Sequence, residues 1–87
     1  MEKCMITFRS VMPAQQGQAL MRRAGVSCDL RRTPRRMEQQ GCGYSLHVNC
    51  GQIHNAVALL DREGVAYRKI YRITNTGMEE CTYDLFR

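Results

Sequence analysis

The sequence predicts an α+β fold with the element order β-α-β-β-α-β. Two observations carry the prediction. The first is an internal likeness: Ala19-Leu20-Met21-Arg22-Arg23-Ala24-Gly25-Val26 resembles Ala58-Leu59-Leu60-Asp61-Arg62-Glu63-Gly64-Val65. Each reads as the end of an amphipathic helix, a glycine stop and the start of a strand, because glycine suits the left-handed position just past a helix end. The second is a period of two in the runs before each helix and after each glycine, which is the pattern of a half-buried strand.

The elements follow in order. A first strand runs from Cys4 to Arg9. Ser10 is placed to cap the first helix, and Pro13 falls in its first turn, where a missing N–H costs little. Val11, Ala14, Gly17, Met21 and Ala24 face one way along that helix, with Leu20 alongside. In the second strand, Val26 to Arg32, apolar Val26, Cys28 and Leu30 alternate with Ser27, Asp29 and Arg31. The third, Tyr44 to Val48, sets Tyr44, Leu46 and Val48 against Ser45 and His47.

Asn49 stands at the same interval from Ser10 as Ala58 does from Ala19, and is read as the second cap, with Gln52 at capping-box spacing. Ile53, Ala56, Val57 and Leu60 make one apolar stripe on the second helix. The fourth strand, Val65 to Ile73, puts Tyr67, Tyr71 and Ile73 on one side with Lys69. The arrangement expected is ferredoxin-like, with two helices on one face of a four-stranded antiparallel sheet. The strand phases of the two halves do not match, since Phe8 aligns with His47. Residues 74–87 fall outside the unit and read as a tail, an added strand or a dimer contact, with strand potential over Cys81 to Phe86.

At 87 residues one domain with a small core is expected. Hydrophobic residues make up 44% and charged residues 24%, a globular balance. No apolar run approaches the roughly 20 residues that cross a bilayer. The start, Met1 to Phe8, is too short and mixed for a signal peptide, so a cytoplasmic location and no membrane association are expected. The formal charge of +5 draws anions: nucleic acid, phosphates, acidic partners or a thiolate-bearing substrate. It is equally the charge of a solvated basic surface.

Five cysteines occur, at positions 4, 28, 42, 50 and 81. The odd number, without a secretory signal, argues against a disulfide framework. The absence of Cys-x-x-Cys removes the strongest zinc and thioredoxin-type signals. Cys4 and Cys28 lie in alternating apolar strands and are assigned to the core. Cys42 closes the stretch RRTPRRMEQQGCG, residues 31–43. In the expected topology the connection from Thr33 to Gly41 lies at the end of the sheet where the chain enters the first helix, bringing Cys42 near Ser10 to Met12. A helix N-terminus and the cations Arg35 and Arg36 favour the thiolate there, and Gly41 and Gly43 leave the sulfur accessible. Against this stands simple burial of Cys42 at the start of a strand.

Cys50 is the rival thiol, as first residue of the second helix at the opposite end of the sheet, without an arginine cluster. His47, Cys50 and His54 need not converge, so no metal site is expected. Nucleotide-binding glycine motifs and a Ser-His-Asp pattern are absent, and no cofactor is implied. The aromatic-rich strand motif of RNA-binding sheets is missing, which argues against nucleic acid.

Several segments together resemble a known family. They are Ile6-Thr7-Phe8-Arg9-Ser10, Ala19 to Val26, Thr33-Pro34-Arg35, Cys42-Gly43-Tyr44-Ser45-Leu46 and Leu59 to Val65. Over residues 5–72 the chain resembles the putative selenium/sulfur carrier protein-like family of small bacterial proteins. The family pattern has a Pro-Arg step, a short polar loop and a Cys-Gly pair opening the next strand. Arg36 and Gly41 depart from it and make this loop more basic and more flexible.

The resemblance implies a carrier or accessory protein rather than a stand-alone enzyme. Cys42, followed by Gly43, would hold sulfur or selenium as a persulfide or perselenide, with donor and acceptor proteins as partners. Arg35, Arg36 and Ser10 would stabilise the anion. Residues 1–73 would form the carrier domain and 74–87 a C-terminal extension. The alternative is a non-enzymatic ligand-sensing or interaction module, a homodimer among its options, in which Cys42 is structural.

Overall fold

The computed structural model describes residues 2–33 and 43–81. The elements are β1 (Lys3–Phe8), α1 (Val11–Arg23), β2 (Cys28–Thr33), β3 (Gly43–Asn49), α2 (Ile53–Arg62), β4 (Ile70–Thr74) and β5 (Gly77–Cys81). A 3-10 turn over Cys50–Gln52 links β3 to α2. All strand pairs are antiparallel, in the order β2-β3-β1-β4-β5. The expected order of strands and helices is present, but the sheet has five strands rather than four. The fifth comes from residues beyond the repeat: Asn75 and Thr76 make a two-residue turn, closed by Thr74 pairing with Gly77 and by the Thr74 hydroxyl donating to the Gly77 carbonyl at 3.0 Å. Gly77 sits at φ 146°, which a side chain would oppose. The expected strand over Cys81–Phe86 lies outside the described residues except for Cys81.

The core forms on one face of this sheet. Cys4, Ile6 and Phe8 of β1, Leu46 and Val48 of β3 and Ile70 of β4 meet Ala14 and Met21 of α1 and Ile53, Ala56, Val57 and Leu60 of α2. The apolar side read in β3 and the stripe read in α2 are therefore buried faces, β1 is buried along its whole length from Cys4 to Phe8, and both helices lie on the same side. Gly17 is where the layers come closest: a Cβ there would stand 2.9 Å from Leu60 Cδ2 and 3.1 Å from Leu46 Cδ1.

The internal likeness is a shared helix stop. After α1, Gly25 takes φ 79°. Its N–H donates to the Arg22 carbonyl, and the Val26 N–H donates to Met21. After α2, Gly64 takes φ 70°, with Gly64 donating to Asp61 and Val65 to Leu60. Both are Schellman motifs, and in each the valine after the glycine drops into the core.

Three boundaries differ from expectation for physical reasons. β4 begins at Ile70, not Val65, because a bulge interrupts its pairing with β1. Thr7 faces both Arg68 and Lys69: the Thr7 N–H donates to the Lys69 carbonyl and the Arg68 N–H to the Thr7 carbonyl, both at 2.8 Å. One extra residue reverses the side-chain phase. Tyr67 consequently packs on the core, whereas Tyr71, paired with Met5, faces the other way. The expected grouping of Tyr67 with Tyr71 and Ile73 fails for that reason. β2 begins at Cys28 because Val26 is spent on the helix stop. α2 begins at Ile53, with Gln52 as its cap residue; the expected capping box fails because the 3-10 turn displaces Asn49 from the helix start. The Gln52 side chain instead accepts a hydrogen bond from Asn55 at 3.0 Å.

Candidate functional site

The register defines two ends of the sheet. At one end β1 finishes, α1 starts and β3 starts. Phe8 pairs with Tyr44, and Thr33 pairs with Gly43. Ser10 is the α1 cap residue, in extended conformation and exposed, but its side chain makes no capping hydrogen bond. No acidic residue lies in the first turn of α1. Gly43 is buried and opens β3. The register thus puts the start of β3 at the end of the sheet where α1 begins. Cys42, Arg35 and Arg36 lie outside the described residues.

The same end carries two cations of the arginine-rich stretch and three from outside it. Arg9 follows β1, Arg31 and Arg32 pair with Ser45 and Tyr44, and the bulge holds Arg68 and Lys69 opposite Thr7. Lys69 Nζ is 3.0 Å from Glu80 Oε1, and this hydrogen bond and charge raise its pKa. Arg31 is 3.7 Å from Asp29. Arg9 and the adjacent pair Arg68 and Lys69 come from two distant regions of the sequence, and the bulged β1–β4 pairing brings them together. No linear motif announces that.

Behind these cations, on the face away from the helices, Ser45 is fully buried. Its hydroxyl donates to the Arg31 carbonyl at 3.3 Å and lies 3.2 Å from His47 Nε2. Burial, and after it the Arg31 charge, hold the His47 pKa below its ordinary value, against the opposing pull of Asp29. This pair anchors β3. A serine with no exposed surface is not a nucleophile for external substrates. Among the described residues, no three of His, Cys, Asp and Glu gather as a metal-binding group.

The other end of the sheet corrects the reading of the cysteines. Cys4 and Cys50 form a disulfide, with Cα atoms 5.1 Å apart. A bridge was not expected, and Cys50 was expected as a free rival thiol. The cause is non-local. Cys4 pairs with Val48, β3 ends at Asn49, and the 3-10 turn folds Cys50 back toward β1, where its N–H donates to the Glu2 carbonyl at 3.1 Å. Cys4 is 1% exposed; Cys50 is half-buried. Beside Cys50 lies an open depression of about 430 Å³ lined by Glu2, Asn49, Gly51 and Gln52. Cys28 pairs with Val48 on its far side, so one strand separates it from Cys4. Its thiol pKa is pushed up by burial, opposed by the Arg22 guanidinium.

Residues 3–72 match the family model described as Putative Se/S carrier protein-like. The chain belongs to this family. The match ends within β4, so β5 lies beyond it. Comparison with curated proteins and with solved structures gives no match. No helix among the described residues is long and apolar enough to cross a membrane.

Proposed function

We infer that this family member is a sulfur or selenium carrier that holds its cargo on Cys42. Membership of the carrier-like family carries the reading. The geometry supports it: β3, which Gly43 opens, starts at the end of the sheet where α1 begins and where Arg9, Arg32, Arg68 and Lys69 collect. A positive environment lowers a thiol pKa and stabilises an anionic persulfide. Arg35 and Arg36, adjoining in sequence, add to that charge, and Ser10 stands at the helix entry.

The loading step is a transfer of sulfane sulfur. The Cys42 thiolate attacks the outer sulfur of a donor persulfide, R–S–SH. A sulfur–sulfur bond forms to Cys42 as the donor's bond breaks, and the donor leaves as R–S⁻. No net oxidation occurs, and an acceptor thiolate or other nucleophile repeats the step in the unloading direction. The selenium reaction has the same form with a perselenide. Donor and acceptor proteins are the partners, in the cytoplasm, and a ferredoxin-like unit over residues 1–73 is the carrier domain, with 74–87 as its extension.

Incubation of the reduced full chain with a persulfide donor, followed by intact-mass and peptide analysis, tests the reading. The expected result is one added sulfur on the Cys42 peptide, absent from Cys42→Ser. Sulfur that persists in that variant, or a Cys42 left unmodified, overturns it and favours a structural Cys42.

A further inference from the structure

We propose that Cys4 and Cys50 form a second thiol centre, a dithiol/disulfide exchange site for low-molecular-weight thiols and disulfides of the glutathione class, independent of Cys42. Three observations converge on it. The two sulfurs are already bonded in the folded chain, so the backbone there accepts the oxidised state. Their exposures are unequal: Cys50 is reached from the depression formed with Glu2, Asn49, Gly51 and Gln52, whereas Cys4 lies in the core with only 1% of its surface exposed. A third described thiol does not interfere. Cys28 is kept one strand beyond Cys4 by Val48, at about 10 Å by the usual strand spacing, which is past the span of a disulfide.

This asymmetry assigns separate roles. An incoming thiolate R–S⁻ reaches only the Cys50 sulfur. Its attack forms R–S–Sγ of Cys50 and breaks the bond to Cys4, which leaves as thiolate and takes a proton from water. A second R–S⁻ attacks the R sulfur of the mixed disulfide, releasing R–S–S–R and the Cys50 thiolate. In sum, two external thiols lose two electrons and two protons to the protein disulfide. In the reverse direction Cys50 attacks R–S–S–R, and Cys4 resolves the mixed disulfide by attacking Cys50 Sγ. Cys4 is suited to resolving because its sulfur meets Cys50 and no bulk reagent. The depression leaves room for the R group on the Cys50 side.

The test uses the full chain in buffers of reduced and oxidised glutathione at varied ratio, with acid quench, alkylation and peptide mass analysis. Cys4 and Cys50 are expected to oxidise together as one two-electron unit. In the reduced protein, Cys50 is expected to alkylate at least about tenfold faster than Cys4, as their exposures dictate. Cys4→Ala should accumulate a glutathione adduct at Cys50; Cys50→Ala should leave Cys4 unmodified while folded. Should Cys4→Ala fail to fold, the wild-type alkylation rates decide the matter. A pair that stays oxidised at every ratio is a fixed staple, and a Cys4 as reactive as Cys50 removes the division of roles; either result overturns the proposal. The readout is confined to the Cys4 and Cys50 peptides, so failure of sulfur loading at Cys42 leaves it untouched.

Discussion

The hydroxyl of Thr7 and the backbone of Lys69 are joined twice: the Lys69 N–H donates to Thr7 Oγ1 at 3.0 Å, and Thr7 Oγ1 donates to the Lys69 carbonyl at 3.3 Å. Thr7 is 4% exposed. The side chain therefore takes over an amide that the bulge removes from the strand ladder. Thr7→Val keeps the shape and removes the hydroxyl, leaving that N–H unpaired. The expected cost is about 1–3 kcal/mol, read from the denaturation midpoint, with Thr7→Ser recovering part of it. A neutral Thr7→Val would mean that water satisfies the Lys69 amide.

Gly17 is held in place by its neighbours. The gain in helix propensity from replacing it is about 1 kcal/mol at most. Leu60 and Leu46, both 0% exposed, leave no space for a branched side chain. Gly17→Val should lose about 1–3 kcal/mol through overpacking, measured by thermal or urea unfolding. A stabilised Gly17→Val would show that α1 can shift off α2 freely.

The two helix stops should behave alike. Gly25→Ala and Gly64→Ala each place a Cβ on a backbone at φ 79° or 70°, where nothing lies within 4 Å. Steric contact with neighbours is thus excluded, and the loss is conformational, about 1 kcal/mol each. The two losses should add in the double variant, because the glycines close separate helices.

Stability should rise with pH through the histidine range. His47 has a folded pKa below its ordinary value of 6.5, so the unfolded chain binds the extra proton. Between the lowered folded pKa and about 6.5, folding gains stability as pH rises, at no more than about 1.4 kcal/mol per pH unit. Above that window the contribution is complete; below the folded pKa it is gone. His47→Gln should flatten this part of the curve, as followed by unfolding at a series of pH values.

Reduction should destabilise the chain whether or not the bridge exchanges in use. The bridge spans a sequence separation of 46. Loop-closure entropy for such a span gives about 4 kcal/mol as an upper value. A reductant should therefore lower the thermal midpoint of the wild type, and Cys50→Ala should lose its sensitivity to reductant. An unchanged midpoint on reduction would show that the unfolded chain is not constrained by this link.

What was legible in the sequence was local. The stripe Ile53, Ala56, Val57, Leu60, the alternation of Leu46 and Val48 with Ser45 and His47 and the glycine stops at 25 and 64 are periodic or adjacent features, and each forms as read. The features that escaped arise between distant segments. The bulge depends on how β4 meets Thr7, and it silently reverses the side on which Tyr67 lands. The Cys4–Cys50 bridge depends on antiparallel register plus a 3-10 turn, neither of which has a spacing signature. Residues 74–87 read equally as a tail, an added strand or a dimer contact, because the pairing of Met78 to Cys81 with β4 has no local sequence signature. The arginines at 9 and 68 join Arg32 only once the strands are assembled. Cys42, the residue to which the resemblance points, lies outside the described residues.

The fifth strand alters the choices open to a second copy of this chain. Strand β5 closes the outer edge of β4, so among the described strands only β2 and β5 remain as lateral borders. One border carries Arg31 and Arg32 together with Asp29, the other Glu79 and Glu80. Joining two copies border to like border about a twofold axis sets like net charge against like net charge. Joining unlike borders matches the charges, but that contact does not close and would propagate as a ribbon. Lateral strand addition is thus a costly route to a closed pair, and charge composition at the rim works to keep the sheet at five strands.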